Sequence, residues 1–183
     1  MSTTSRAVKA GIVGLGAMLL AACSASYDID MSVPMKDGQW SGRSNADDQG
    51  AVGVITITVA GGQITNTTFE TLKADGSDKD GDYGKDSSGE VFNKDYYEKA
   101  QRAVESYARY SQELTDKDDP TKVDVISGAT VAHRQFMQAA IRAISKAQGV
   151  DDSGADEVEI PGLKDSTGTG DSDLDKDLGG TDK

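Results

Sequence analysis

Cysteine is nearly absent from this chain: Cys23 is the one such residue in 183. A disulfide needs two, so no disulfide framework staples the fold, even on an oxidising side of a membrane. Basic residues are scarce as well. The 19 Lys and Arg face 31 Asp and Glu, for a formal net charge of -12, and such a surface repels nucleic acid phosphates, which removes that partner class. Anionic headgroups repel it too, so no basic patch can hold this chain at a membrane. Long apolar runs are limited to "AGIVGLGAMLLAA" at residues 10–22, too short to span a bilayer comfortably as a permanent helix. There is a single histidine, His133, and no internal repeat.

What the N-terminus does contain is Arg6 and Lys9 with no acidic residue, then the apolar run, then a small-residue exit. That order describes an export signal. The exit, Leu20-Ala21-Ala22-Cys23, resembles the lipobox of bacterial lipoproteins, in which the cysteine is diacylated on sulfur and becomes the mature N-terminus. The resemblance implies a lipoprotein signal peptide at 1–22 and lipidation of Cys23. Acyl chains would then supply the membrane affinity, placing the protein on the extracytoplasmic face of the cell membrane. The polar stretch 23–35 reads as a lipid-anchored tether.

The folded part is expected at 36–149, enough for one domain with one core. Asp37-Gly38 is a turn signal, Gln39 to Ser41 a short first strand, and Trp40 its core anchor. In "AVGVITITVAGGQITNTTFETL", Ile55, Ile57 and Val59 alternate with Val54, Thr56 and Thr58, and Gly61-Gly62 interrupts the run. This is the period-2 pattern of a half-buried β-hairpin. Residues 73–92 are rich in Asp and Gly. Counting Asp78, Asp80 and Asp82 as the first three calcium ligands puts Tyr83 where an EF-hand requires glycine and Gly89 where it requires glutamate, so the segment reads as a solvated loop, with a looser cation site as the lesser alternative. A helix follows, with Asp95 and Glu98 as a capping box and Tyr97, Ala100, Val104, Tyr107 and Leu114 at helical spacing. Pro120 enforces the break after it. Val123, Val125 and Ile126 read as a buried extended segment, and a second helix from about Val131 to Gln148 turns Phe136, Ala140, Ile141 and Ile144 inward, with Gly149 as its C-terminal cap. The expected fold is α+β: a small antiparallel sheet with a β-hairpin, packed against two main helices. Residues 150–183 lack hydrophobic periodicity and read as an acidic disordered tail, dispensable for folding.

Between the extended segment and the second helix stands "SGAT", Ser127 to Thr130. A strand delivering these residues to a helix start brings free N–H groups and hydroxyls to the positive end of the helix dipole, which is a seat for a phosphate. Gly128 and Ala129 allow close approach to the backbone. Serine and threonine at a helix start are also ordinary caps, and spacing alone leaves both readings open.

The order "DGQWSGRS", "GVITITVAGGQI", a loop, a helix and "VDVISGATVAHRQFMQAAIRAI" resembles the bacterial FMN-binding domain over roughly residues 36–147. That family includes small flavin lipoproteins and the C and G subunits of membrane redox pumps. In it, a flavin transferase takes FMN from FAD and esterifies its phosphate to the last residue of Asp-x-x-Ser/Thr-Gly-Ala-Ser/Thr. Asp124 through Thr130 fill that frame in order. The resemblance implies covalent FMN on Thr130, flavin contacts from Ser127, Gly128 and Ala129, and transferase recognition through Asp124, with no metal. It implies a redox carrier rather than a stand-alone enzyme, accepting electrons from a membrane dehydrogenase or quinol and passing them to an extracytoplasmic acceptor. The flavin does the redox chemistry, so no catalytic acid, base or nucleophile is nominated. Two departures stand out. Many members place hydroxyls where this chain has Ala132 and His133, the latter expected as a solvated residue of the first helical turn. Larger members carry Glu-Thr-Pro-Gly near the ring, where this chain has "FETLKADG". A flavin-free adaptor or binding lipoprotein using the fold as a scaffold is the competing class.

Overall fold

The computed structural model describes residue 27 and residues 29–161. Three strands, β1 (Gly38–Arg43), β2 (Val52–Ala60) and β3 (Gln63–Leu72), form an antiparallel sheet in the order β1-β2-β3. The turn joining β2 to β3 places Gly61 and Gly62 at φ 62° and 77°, the paired positive values that a tight two-residue hairpin demands and that glycine adopts without strain. Along β2 every second residue is buried, so Ile55, Ile57 and Val59 face a core completed by Ile64 and Phe69 of β3.

Two helices cover that face, α1 (Lys94–Lys117) and α2 (Thr130–Gln148). Helix α2 lies across β1 and β2, and α1 lies along β3. The α2 backbone approaches β1 so closely that a Cβ on Gly42 would stand 2.0 Å from the Ala139 carbonyl oxygen. Small residues on both sides make that approach possible. At its C-terminus α1 ends on Asp118 in the left-handed region, and the Asp118 carboxylate accepts the Ile64 N–H at 2.7 Å. The α+β architecture is the expected one.

Several boundaries differ from expectation. Helix α1 is capped by Asn93, whose side chain accepts the Tyr96 N–H, and Glu98 pairs with Lys94 instead of closing a capping box. Trp40 is half-buried at the core's rim, its indole N–H donating to the Lys36 carbonyl. In the segment before α2, Val123 is buried but Val125 is 56% exposed. The loop 73–92 is not wholly solvated: Lys79 is buried, 3.5 Å from the buried Asp47 carboxylate and with its ammonium over the Tyr83 ring. Its aspartates serve its own backbone, Asp75, Asp80 and Asp86 accepting N–H groups two residues ahead.

The tether and tail expectations also move. Met35 is buried, the Lys36 N–H donates to the Ala147 carbonyl, and Gln148 donates to the carbonyls of Asp30 and Val33. The described part of 23–35 therefore packs along α2. Beyond the helix, a 3₁₀ turn at Ser153–Glu157 buries Ala155, Val158 follows it into the core, and the Gln138 amide donates to the Val158 carbonyl at 2.6 Å. Two small apolar anchors and side-chain hydrogen bonds leave no periodicity in the sequence of this stretch. The remaining tail, 162–183, and the signal and lipidation residues lie outside the described residues. Among the described residues no helix is long and apolar enough to cross a membrane.

Truncation after Gly149 should therefore destabilise the domain by roughly 2–4 kcal/mol, since it exposes the Val158 site and strands the buried Gln138 amide. Truncation after residue 161 should leave stability unchanged. Chemical denaturation of the two variants checks this, and equal midpoints would show that 150–161 contributes nothing.

Candidate functional site

Past α1 the chain makes a 3₁₀ turn at Pro120–Lys122, begun by the Asp119 side chain accepting the Thr121 N–H, and then enters the Asp124 to Thr130 frame. Within it the Ala129 N–H donates to the Ile126 carbonyl at 3.0 Å, closing a β-turn with Ser127 and Gly128 in its centre. Gly128 has φ 81°, while Ser127 is not among the residues of positive φ. A positive value at the third position alone is the type II turn, which asks for glycine there.

The turn rests on Tyr110 of α1, a side chain with 0% exposure. The Ile126 N–H donates to its hydroxyl oxygen at 3.2 Å, and the hydroxyl donates to the Ala129 carbonyl at 3.3 Å. One buried phenol thus ties the entry of the turn to its exit. Burial also raises the Tyr110 pKa above its ordinary value, which keeps the donating proton in place.

Ser127, Gly128 and Thr130 are exposed around this support, and Ala129 points inward. The N-cap of α2 is Ala129, with no side-chain cap, and the first helical bond runs from the His133 N–H to the Ala129 carbonyl at 2.9 Å. The N–H groups of Thr130, Val131 and Ala132 therefore lack intrahelical partners, at the positive end of a long helix dipole. The two readings of "SGAT" separate here, because neither hydroxyl is used as a cap. Arg102 of α1, which the sequence does not single out, stands beside the turn: a Cβ on Gly128 would lie 3.4 Å from its Nε.

Asp124 sits at the mouth of the same segment. Its N–H donates to the Glu113 carboxylate, its own carboxylate lies 3.4 Å from Lys117 Nζ, and that carboxylate is 90% exposed. Lys117 also pairs with Glu113 at 2.9 Å, and this hydrogen bond raises its pKa. His133 departs from expectation: it is 2% exposed, its Nε2 lies 3.1 Å from the Val123 carbonyl oxygen, and its ring packs edge-on against Tyr110. Helix α2 is enclosed on more sides than a one-faced reading of its spacing allows. Burial lowers the His133 pKa, so the neutral ring donating from Nε2 is the resident form, and it braces the extended segment from behind instead of meeting solvent. The structure thus brings Ser127, Gly128, Ala129 and Thr130 into one turn with Asp124 at its entrance. Cys23 lies outside the described residues.

A model of the FMN-binding domain family matches residues 49–145. The chain belongs to that family. Membership makes it a flavin-binding protein, and the matched span contains the sheet's hairpin, α1, the turn and nearly all of α2. Among solved structures, a protein from Clostridium perfringens superposes with a TM-score of 0.51 at 24% identity, over 63% of this chain and 90% of that one. That likeness supports the fold alone. A solution structure from Clostridium thermocellum, 25% identical over 64% of this chain and 95% of its own, gives a TM-score of 0.38. No curated protein matches the chain significantly. The donor set fits the phosphate end of FMN: two exposed hydroxyls, three N–H groups free of helical partners, a glycine that leaves the backbone approachable, and a guanidinium alongside.

The buried His133 sets a pH dependence. Its folded pKa lies below the ordinary 6.5, so its contribution is complete above pH 6.5 and is lost as pH falls below it, where the unfolded chain takes up the proton first. The carboxylates with lowered pKa, such as Asp75 and Asp86, act only below 3.8. Between pH 7 and 5 unfolding free energy should fall by up to about 1.4 kcal/mol per pH unit. His133→Gln, which keeps an N–H donor, should flatten that slope. Urea titrations across this range check it, and an unchanged slope in the variant would assign the effect elsewhere.

Proposed function

We propose that this protein is a membrane-anchored, extracytoplasmic electron carrier whose FMN is esterified to Thr130. The observation that carries the reading is the seven-residue frame Asp124 to Thr130, presented in an FMN-binding domain with the Thr130 hydroxyl exposed and unused by the fold. In the attachment step, the Thr130 oxygen attacks the riboflavin-side phosphorus of FAD, the pyrophosphate bond breaks, AMP departs and the hydroxyl proton is released. A flavin transferase would perform it, reading the exposed Asp124 carboxylate. Ser127, Gly128 and the first N–H groups of α2 would hold the phosphate, with Ala129 packed inward beneath it. Bound there, FMN supplies reversible one- and two-electron transfer, and the protein supplies placement and electrostatics. Donors would be a membrane dehydrogenase or quinol, and the acceptor an extracytoplasmic redox partner. Lipid on Cys23 would supply the anchor, after removal of 1–22.

Coexpression with a flavin transferase should raise the mass by one FMN less one water, and peptide mapping should place the addition on Thr130. Thr130→Val keeps the shape and lacks the nucleophile, so it should fold and stay colourless. Thr130→Ser should still be labelled, and Asp124→Ala should be labelled poorly without unfolding. Covalent flavin on Thr130→Val would refute the assignment. A wild type that stays colourless beside an active transferase would favour a flavin-free scaffold.

Anchoring has its own test. Cys23→Ala should move the protein from the membrane fraction to the soluble fraction, whereas a variant retained on membranes after a salt wash would show that something other than Cys23 holds it.

A further inference from the structure

We infer that Arg102 is the counter-charge for the flavin phosphate, and that it gives this site a preference for FMN over unphosphorylated flavin. The inference rests on the proposed flavin site and adds a residue outside the seven-residue frame. Arg102 is exposed on α1 next to the turn, with Nε and Cδ 3.4 and 3.9 Å from where a Gly128 side chain would begin. A Cβ at position 128 would meet the guanidinium at ordinary contact distance, so the turn's positive φ is what asks for glycine there, and the guanidinium lies within contact reach of the turn.

Its electrostatic situation separates it from the other cations nearby. Farther along the same helix, Arg109 and Lys117 both pair with Glu113, and in the 3₁₀ turn that follows it Lys122 pairs with Asp119. Arg102 makes no ion pair or hydrogen bond among the described residues, although the chain carries 31 acidic side chains to 19 basic ones. Glu98 and Glu105 are at helical spacing from it, yet Glu98 is engaged by Lys94. The unpaired guanidinium and the uncapped start of α2 meet at one turn whose hydroxyls also lack partners among the described residues. A phosphodiester on Thr130 carries one negative charge, and a planar fork of N–H donors suits its two free oxygens.

Two measurements on the mature chain test this. In the first, protein labelled through a transferase is compared with unlabelled protein by thermal unfolding. Labelled wild type should melt roughly 3 °C higher at low salt, the gain should shrink in high salt, and Arg102→Gln should abolish it while Arg102→Lys keeps part of it. In the second, free FMN and riboflavin are titrated onto unlabelled protein and flavin fluorescence is followed. Wild type should prefer FMN by about tenfold, and Arg102→Gln should cut that preference to about twofold without changing riboflavin affinity. Equal affinities for the two flavins in wild type, or an undiminished FMN preference in Arg102→Gln, overturn the inference even if Thr130 is labelled. If Thr130 is never labelled but the preference is present and depends on Arg102, the covalent assignment falls and the role of Arg102 stands.

Discussion

The hydroxyl of Tyr110 has no contact with solvent, so its hydrogen-bonding capacity must be met within the fold, and it is met by the backbone of one turn. Accepting from Ile126 and donating to Ala129, it joins the two ends of a four-residue loop to the middle of a 24-residue helix. The cost of leaving a buried phenol or a buried amide unpaired, about 1–3 kcal/mol, is what keeps that loop in register with α1. Everything outward follows from the fixed loop. Ala129 turns in, Ser127 and Thr130 turn out, and Gly128 passes close to Arg102. The aromatic support is continuous behind the clamp, since Tyr110 stacks on Phe136 and meets Phe69 and His133 edge-on.

Helix α2 is the second constraint, and it explains which parts of the structure were legible in the sequence. Alternation in β2 reads directly as a covered face because a strand has only two sides and Ile55, Ile57 and Val59 mark one of them. The hairpin glycines and the C-terminal cap Gly149, at φ 74°, are legible for a similar reason, as each is demanded by local backbone geometry. For α2 the apolar spacing of Phe136, Ala140, Ile141 and Ile144 identifies the side toward the sheet and nothing more. The helix is in fact enclosed by the sheet, by α1, by residues before β1 and by the 3₁₀ turn after it. Its polar residues Gln135, Gln138 and Gln148 are buried, each donating to a carbonyl of an irregular segment: Ala51, Val158 and the pair Asp30 and Val33. Such contacts join residues far apart in sequence and use side chains that look like surface, so no local pattern announces them.

The same limit applies to the site. The frame from Asp124 to Thr130 is contiguous and therefore readable. Tyr110 and Arg102 are not, because their importance lies in facing that frame across the fold, and in sequence they are one tyrosine among six and one basic residue among 19. Tyr107 and Tyr110 look equivalent in the helical repeat. Tyr107 meets Phe69 edge-on, whereas Tyr110 reaches the turn, a distinction set by helix register against a loop that enters from elsewhere. The burial of His133 is hidden from the sequence for the same reason: a first-turn residue is solvated only if nothing crosses in front of it, and here Val123 does.

The position of the turn bears on why a covalent link would suit this domain. Ser127, Gly128 and Thr130 sit on the surface, where a ligand keeps much of its contact with water and burial contributes little to its retention. The surrounding chain is strongly acidic, so its overall field opposes a phosphorylated ligand and leaves attraction to short-range groups, the donors at the helix start and the guanidinium of Arg102 beside the turn. Those conditions weaken noncovalent retention, and at the proposed extracytoplasmic location a dissociated cofactor would be diluted without limit. A bond through an exposed threonine would remove dissociation from the problem and leave the reactive end of the cofactor accessible to partners. It would also relax the demands on the fold, which would need only to hold one turn still and present one hydroxyl, and the Tyr110 clamp holds that turn.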